Sequence, residues 1–338
     1  MGLSEFNEDG QRKMTDFSRM VTSWRLRTRT IELGRRTLVM GVVNITPDSF
    51  SDGGAFLAPD AAVAHALSLL DEGADLLDLG AESTRPGSRT GGAAGSELTP
   101  GVCPNDKNPS LSAQAVSSDE ELARLLPVLE GILKARPDAT LSVDTYKAAT
   151  ARAALNAGAE IINDVSGFFW DSEMAPVCAE AGCGVVLMHT RGRPEQWRAQ
   201  PRLEPDELLD TVREGLAESL KVASVGGILP EAVVLDAGYG FGKRFDENFV
   251  LLARQAELMD LGRPLLAGVS RKSFLGRALA PLYAGSDAPV ESRETASVAA
   301  LVASILHGAS IVRVHAVRPA VEAALIADAV LAGGTTTG

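Results

Sequence analysis

The chain has 338 residues, 45% hydrophobic and 22% charged, with a formal charge of −12 at pH 7. The carboxylate excess excludes a broad nucleic-acid or anionic-membrane surface, which needs basic patches, though local cations can still hold an anionic substrate. No apolar run approaches the roughly 18 residues of a membrane span, and the balance is ordinary for a soluble globular protein.

Residues 1–20 are polar and aperiodic, which predicts a flexible N-terminus. Glu5, Glu8 and Asp9 rule out a signal peptide there, and Phe6 stands where myristoylation wants Ser or Thr. Trp24 to Leu33 alternates apolar and polar residues, a strand or hairpin ahead of the main body, with Arg25, Arg27 and Arg29 on a solvated face. Eight short apolar runs follow, near 38–44, 75–79, 140–144, 160–164, 184–188, 232–236, 265–269 and 310–314. Ala/Leu-rich helical stretches alternate with them, near 59–73, 119–135, 147–157, 172–181, 205–224, 247–260, 292–307 and 318–331. This alternation predicts an α/β fold, a (β/α)8 TIM barrel with an N-terminal β-hairpin, as one domain over 21–333 with 334–338 a flexible C-terminus. Residues 88–118, rich in Gly, Ser, Ala, Thr and Pro, form a long βα-loop insertion, expected to be a mobile surface segment, with a lid as the rival expectation.

Each run ends in polar residues that a buried strand does not need: Asn44, Glu82, Asp144, Asn163, His189, Asp236, Ser270-Arg271-Lys272, and Arg313 with His315. A parallel barrel gathers the carboxyl ends of its strands on one face, where such enzymes work. Singly, many have ordinary explanations. Asp144 and Asn163-Asp164 suit helix caps. Arg85 suits a surface ion pair, or a phosphate grip with Ser83 and Thr84. His189 is expected to be a satisfied core histidine, and His65 and His307 receive no function. The glycine run after Asp236 matches neither common nucleotide motif and suits close backbone approach to a ligand or a tight turn. Cys103, Cys178 and Cys183 lack CxxC spacing and suit inert, reduced thiols in the cytoplasm. Nothing matches HExxH or GxSxG.

Two strings, Met40 to Gly54 and Leu77 to Gly87, are long enough to be specific. With Val143-Asp144-Thr145, Ile162 to Gly167, Phe241-Gly242-Lys243, Ser270-Arg271-Lys272 and Arg313-Val314-His315, the chain resembles the dihydropteroate synthases over about 24–331. The resemblance implies condensation of 6-hydroxymethyl-7,8-dihydropterin diphosphate with p-aminobenzoate by an SN1-like route in folate biosynthesis, with Mg2+ on the diphosphate, a homodimer, and a sulfonamide target. It implies that Asp236 and Asn163 read the pterin edge. Asp144 stabilises charge on the pterin, and Lys272 covers it. Asn44 holds Mg2+ on the diphosphate, beside an anion site of Arg313 and His315 helped by Thr84 and Arg85. Asp52 and Phe50 order the leaving group and second substrate, while Pro86 and Ser273 line the p-aminobenzoate side. Ala237 replaces a usual Pro, and Ala316 a usual Asp, which puts the orientation of His315 in question. The alternatives are a catalytically silent pterin-binding module, a sulfonamide-insensitive duplicate, and a methyl-transferring barrel; the Thr46 to Gly54 loop and Ser270-Arg271-Lys272 speak against the last.

Overall fold

A computed structural model describes residues 19–45, 54–82 and 116–334. A hairpin of β1 (Thr22–Arg25) and β2 (Thr30–Leu33) comes first, pairing Trp24 with Ile31. Eight strands then close into an all-parallel barrel: β3 (Leu38–Asn44), β4 (Leu76–Gly80), β5 (Leu141–Asp144), β6 (Ile161–Asp164), β7 (Gly184–Met188), β8 (Val233–Asp236), β9 (Leu265–Ala267) and β10 (Ala309–Val314), which returns to β3. These strands are apolar on both faces because one side fills the barrel and the other meets helices.

The outer helices are α1 (Gly54–Asp71), α2 (Ser118–Ala135), α3 (Ala148–Ala157), α4 (Met174–Ala181), α5 (Pro205–Val225), α6 (Phe245–Arg254), the short α7 (Ser273–Ala278), α8 (Glu294–Leu306) and α9 (Val317–Gly334). The hydroxyl of Ser117 accepts from Glu120 N at the start of α2, and Asp119, Glu120 and Glu121 suit the positive end of its dipole.

The hairpin stoppers the amino end of the barrel. Trp24, Leu26 and Leu33 form one buried cluster with Met40, Ile161, Val186, Val234, Leu266 and Ile311 from the strands. Trp24 Nε1 donates to Ala232 O at 2.9 Å, and a Cβ on Gly184 would come within 2.5 Å of Leu26. Arg27 and Arg29 are not merely a solvated face: they donate to Ala159 O and Asp138 O, fastening the hairpin to the barrel rim.

Four expectations need correction. Arg19, expected in the loose N-terminus, pairs with Asp328 and donates to Thr37 Oγ1 at 2.8 Å. Gly334, expected in the flexible C-terminus, is the last residue of α9. The helix expected over 247–260 stops at Arg254 and continues as a 3₁₀ turn (Gln255–Leu261). There the buried Gln255 amide donates to Ser304 O and His307 O and accepts from Tyr239 OH. Finally, α7 follows directly on Ser270-Arg271-Lys272, where no helix was expected. Residues 1–18, 83–115 and 335–338 lie outside the described residues, so most of the 88–118 insertion does too.

Candidate active site

The parallel strands place their last residues round one mouth. Asn44, Gly80, Asp144, Asn163, Met188, Asp236, Lys272, Arg313 and His315 all line one cavity of about 300 Å³. That volume suits a small-molecule site.

Beneath the cavity floor lies Asp78, fully buried in the middle of β4. Its Oδ1 accepts from Ser142 Oγ at 2.6 Å; its Oδ2 accepts from Arg313 Nε at 2.6 Å and Asn163 Nδ2 at 3.1 Å. Arg313 Nη2 donates to Asp144 Oδ2 at 2.8 Å. One guanidinium thus bridges two carboxylates, which is how charges survive burial. Asp144 does not cap α3; Asp171 does, accepting from Ala148 N at 2.8 Å. Burial lifts the Asp144 carboxyl to about 7, with Asp78 and Glu121 adding and Arg313 and Lys272 opposing. Asp164 is the structural member of its pair, accepting from Ser166 N and Phe168 N.

Asp236 ends β8 and accepts from Gly238 N at 2.7 Å. Burial pushes its carboxyl up, against the Gly238 N–H and the charges of Lys272, Lys243 and Arg313. The following glycines make a tight turn packed on protein, and Tyr239, Gly240 and Phe241 within it also line the cavity. Gly238, at φ +70, would put a Cβ 1.9 Å from His189 O, and Gly240 one 3.4 Å from Lys272 Cδ. Lys243 fastens this turn: its buried Nζ donates to Gly238 O at 2.8 Å and His189 O at 3.1 Å. Burial lowers its pKa to about 7, opposed by Asp236 and Glu247 and assisted by Arg191 and Lys272. His189 is buried as expected but not satisfied, because its Nδ1 has no partner among the described residues. Burial, with Lys243 and Arg191 nearby, holds its pKa well below the usual value.

Arg271 adopts a left-handed φ of 57°, held by Ser297 Oγ on its N–H and by Arg293 on its carbonyl. Lys272 then sits with Nζ 4.0 Å from the Phe241 ring centroid. Trp197 meets the same ring edge-on. Ser270 Oγ accepts from His315 N and stands 3.1 Å from His315 Nδ1. At the root of the β4 loop, Glu82 receives Lys147 Nζ at 2.6 Å and Val116 N at 3.2 Å, joining the two chain segments that flank 83–115.

The profile of the pterin-binding enzyme family matches residues 40–99 and 102–315. A dihydropteroate synthase of Bacillus subtilis is 38% identical over 299 residues, 88% of this chain and 90% of that protein. The crystal structure of a Xanthomonas albilineans dihydropteroate synthase with 4-aminobenzoic acid shares 38% identity and a TM-score of 0.75, covering 92% of this chain and 99% of that one. A Clostridium difficile dihydropteroate synthase solved with pteroic acid gives 37% and 0.73, over 89% and 98%. The chain belongs to the dihydropteroate synthase family.

Two departures from the family's usual pattern can now be placed. Ala237 is buried between Asp236 and the Gly238 turn, which Lys243 holds without a proline. Ala316 cannot orient His315, and Ser270 does so instead. Of the residues assigned from sequence, Asn44, Asp144, Asn163, Asp236, Lys272, Ser273, Arg313 and His315 line the one cavity. Phe50, Asp52, Thr84, Arg85 and Pro86 fall outside the described residues. Asp78 was missed as a functional residue. Its signal was a carboxylate inside the apolar run Leu76-Leu77-Asp78-Leu79, which only a partner in the barrel interior could satisfy.

Among the described residues no three His, Cys, Asp or Glu side chains could hold a metal ion by themselves. Asn44 ends β3 at the cavity and carries one amide oxygen, the kind of single protein ligand that an ion held mainly by a diphosphate can use.

Proposed function

We propose that this cavity condenses 6-hydroxymethyl-7,8-dihydropterin diphosphate with p-aminobenzoate, giving 7,8-dihydropteroate and pyrophosphate, by a dissociative route. Activity as a dihydropteroate synthase, a transferase of folate biosynthesis, follows from family membership over 88% of the chain. The residue roles are those the family resemblance implies, supported for the described residues by their chemistry in the cavity. The single observation that carries them is the convergence of Asp144, Asn163, Asp236, Lys272 and Arg313 on one cavity.

Asp236, with Oδ1 held by Gly238, offers Oδ2 to the amidine-like edge of the pterin. Asn163 donates one amide N–H to Asp78, which fixes the amide plane and leaves its oxygen and second N–H to read that edge. Lys272 closes over the ring. The C–O bond from the methylene carbon breaks, and its electron pair leaves with pyrophosphate. The electron-rich dihydropterin spreads the positive charge, and the Asp144 carboxylate stabilises it electrostatically. The neutral arylamine then adds its lone pair to the methylene carbon and loses a proton to solvent.

Arg313, His315 and Asn44 serve the leaving group, with Thr84 and Arg85. Mg2+ on the diphosphate, held by Asn44, neutralises charge on that group when bound. Asp52 and Phe50 order the leaving group and the amine, and Pro86 and Ser273 line the amine side, where a sulfonamide competes with p-aminobenzoate. The buried free thiols Cys178 and Cys183 suit the cytoplasm, and no helix among the described residues is long and apolar enough to cross a membrane. The exposed Leu325, Ile326 and Val330 on α9 support a homodimer.

The test is pyrophosphate release with both substrates, with and without Mg2+. Release matched by dihydropteroate, and dependent on Mg2+, is the expected result. Pterin binding without release would mark a catalytically silent module, and sulfonamide inhibition separates a sensitive enzyme from an insensitive duplicate.

A further inference from the structure

Among the described residues three arginines line the cavity: Arg271, Arg293 and Arg313. Arg313 is ion-paired with Asp78 and Asp144. Arg271 lies 3.3 Å from Glu294 Oε2. Arg293, at the end of the 3₁₀ turn Val290–Arg293 that precedes α8, has no carboxylate within ion-pair distance among the described residues. Its partners there are carbonyls, Ala288 O from Nε at 2.9 Å and Arg271 O from Nη1 at 3.1 Å. Those bonds fix the direction of the guanidinium without cancelling its charge, and they use two of its five N–H donors.

The guanidinium is also fixed by packing. A Cβ on Gly276 would lie 2.5 Å from Arg293 Nε and 2.8 Å from Cζ and Nη2, so the group rests flat on the first turn of α7. A planar cation held this way loses little entropy on binding, and its fork matches a carboxylate. It bonds Arg271 O and packs on Gly276 of α7, the helix that Ser273 opens, so it lines the cavity next to the element given above to the arylamine. In a chain of net charge −12 a small organic acid needs such a local cation to be retained.

We propose that Arg293 is the counter-ion for the carboxylate of the arylamine substrate and sets the preference for an acid over a neutral aniline. The assignment rests on the reaction proposed above and adds to it a residue that selects the second substrate.

Steady-state kinetics with p-aminobenzoate and with neutral p-aminobenzamide test it, in the wild type and in Arg293→Gln and Arg293→Lys. Gln keeps a donor for the two carbonyls but removes the charge; Lys keeps the charge but not the fork. Arg293→Gln is expected to raise KM for p-aminobenzoate about 10- to 100-fold. It should leave KM for the pterin diphosphate and kcat/KM for the amide within about twofold, a span too small for a lost charged contact. Arg293→Lys should recover part of the preference for the acid. Equal losses with acid and amide would mean that Arg293 only supports α7 and its turn, and a raised KM for the pterin diphosphate would mean that it grips the other substrate; either overturns the assignment. A wild type that turns over neither amine, yet binds the pterin, overturns the reaction itself and is told apart by that pattern.

Discussion

Asp144 is held by Arg313 at 2.8 Å and raised to about 7 by burial, so its charge is poised within the working pH range. A carboxylate that stabilises a cation must be ionised. The rate with both substrates is therefore expected to fall below about pH 7, with Asp144→Asn lowering kcat about 10²- to 10³-fold and flattening that acid limb. A pH–rate profile of both proteins checks this, and an Asn variant with an unchanged limb would remove Asp144 from the role. Lys243 carries a second pH signature, this time in stability. The folded chain releases its proton near pH 7, while the unfolded chain keeps it up to about 10.5. Between those values unfolding takes up a proton, so stability rises with pH, and below about 7 the full cost of the buried charge is present. Chemical denaturation of wild type and Lys243→Met should show the wild type gaining on the variant across that window. Asp144, Asn163 and Asp236 stood out in the sequence because each ends an apolar run, whereas Asp78 hid inside one. Whether Asp144 was a helix cap or a site residue could not be read locally, since its partner Arg313 is 169 residues away.

Elements were legible where their periodicity is set by burial on both faces, as in β3 and β7, whose bounds match the apolar runs residue for residue. They were less legible where a single side chain decides. The break after α6 coincides with the buried amide of Gln255, and α7 is too short to show a period. The hairpin was recognisable by alternation, but its use as a stopper was not, because Trp24 meets strands distant in sequence. Trp24 is 1% exposed, and Trp24→Ala should cost about 3–5 kcal/mol. Denaturant unfolding measures the loss. Activity in native buffer should be little changed, since the hairpin lies at the opposite end of the barrel from the cavity; a large drop in kcat in a folded variant would contradict that separation.

At the scale of the whole molecule, barrel closure brings β10 beside β3 and so sets Arg313 next to β4 and β5. The outer face of α9 remains apolar, with Leu325 63%, Ile326 68% and Val330 59% exposed. If two chains bury this face, Ile326→Asp with Val330→Asp should give a monomer with an unchanged circular dichroism spectrum. Light scattering of both proteins decides it, and a wild type that is already monomeric refutes the pairing.

Alternating apolar runs and helices determined the barrel from sequence alone, since each element must hide one face or two and the period records which. The strand ends likewise told which rim carries polar chemistry. Only the folded chain decided which of those polar groups meet. Coulomb and hydrogen-bond energies act over a few ångströms, and the pairs Arg313–Asp78, Lys243–His189 and Arg293–Arg271 acquire those distances through closure and turns that no local pattern encodes.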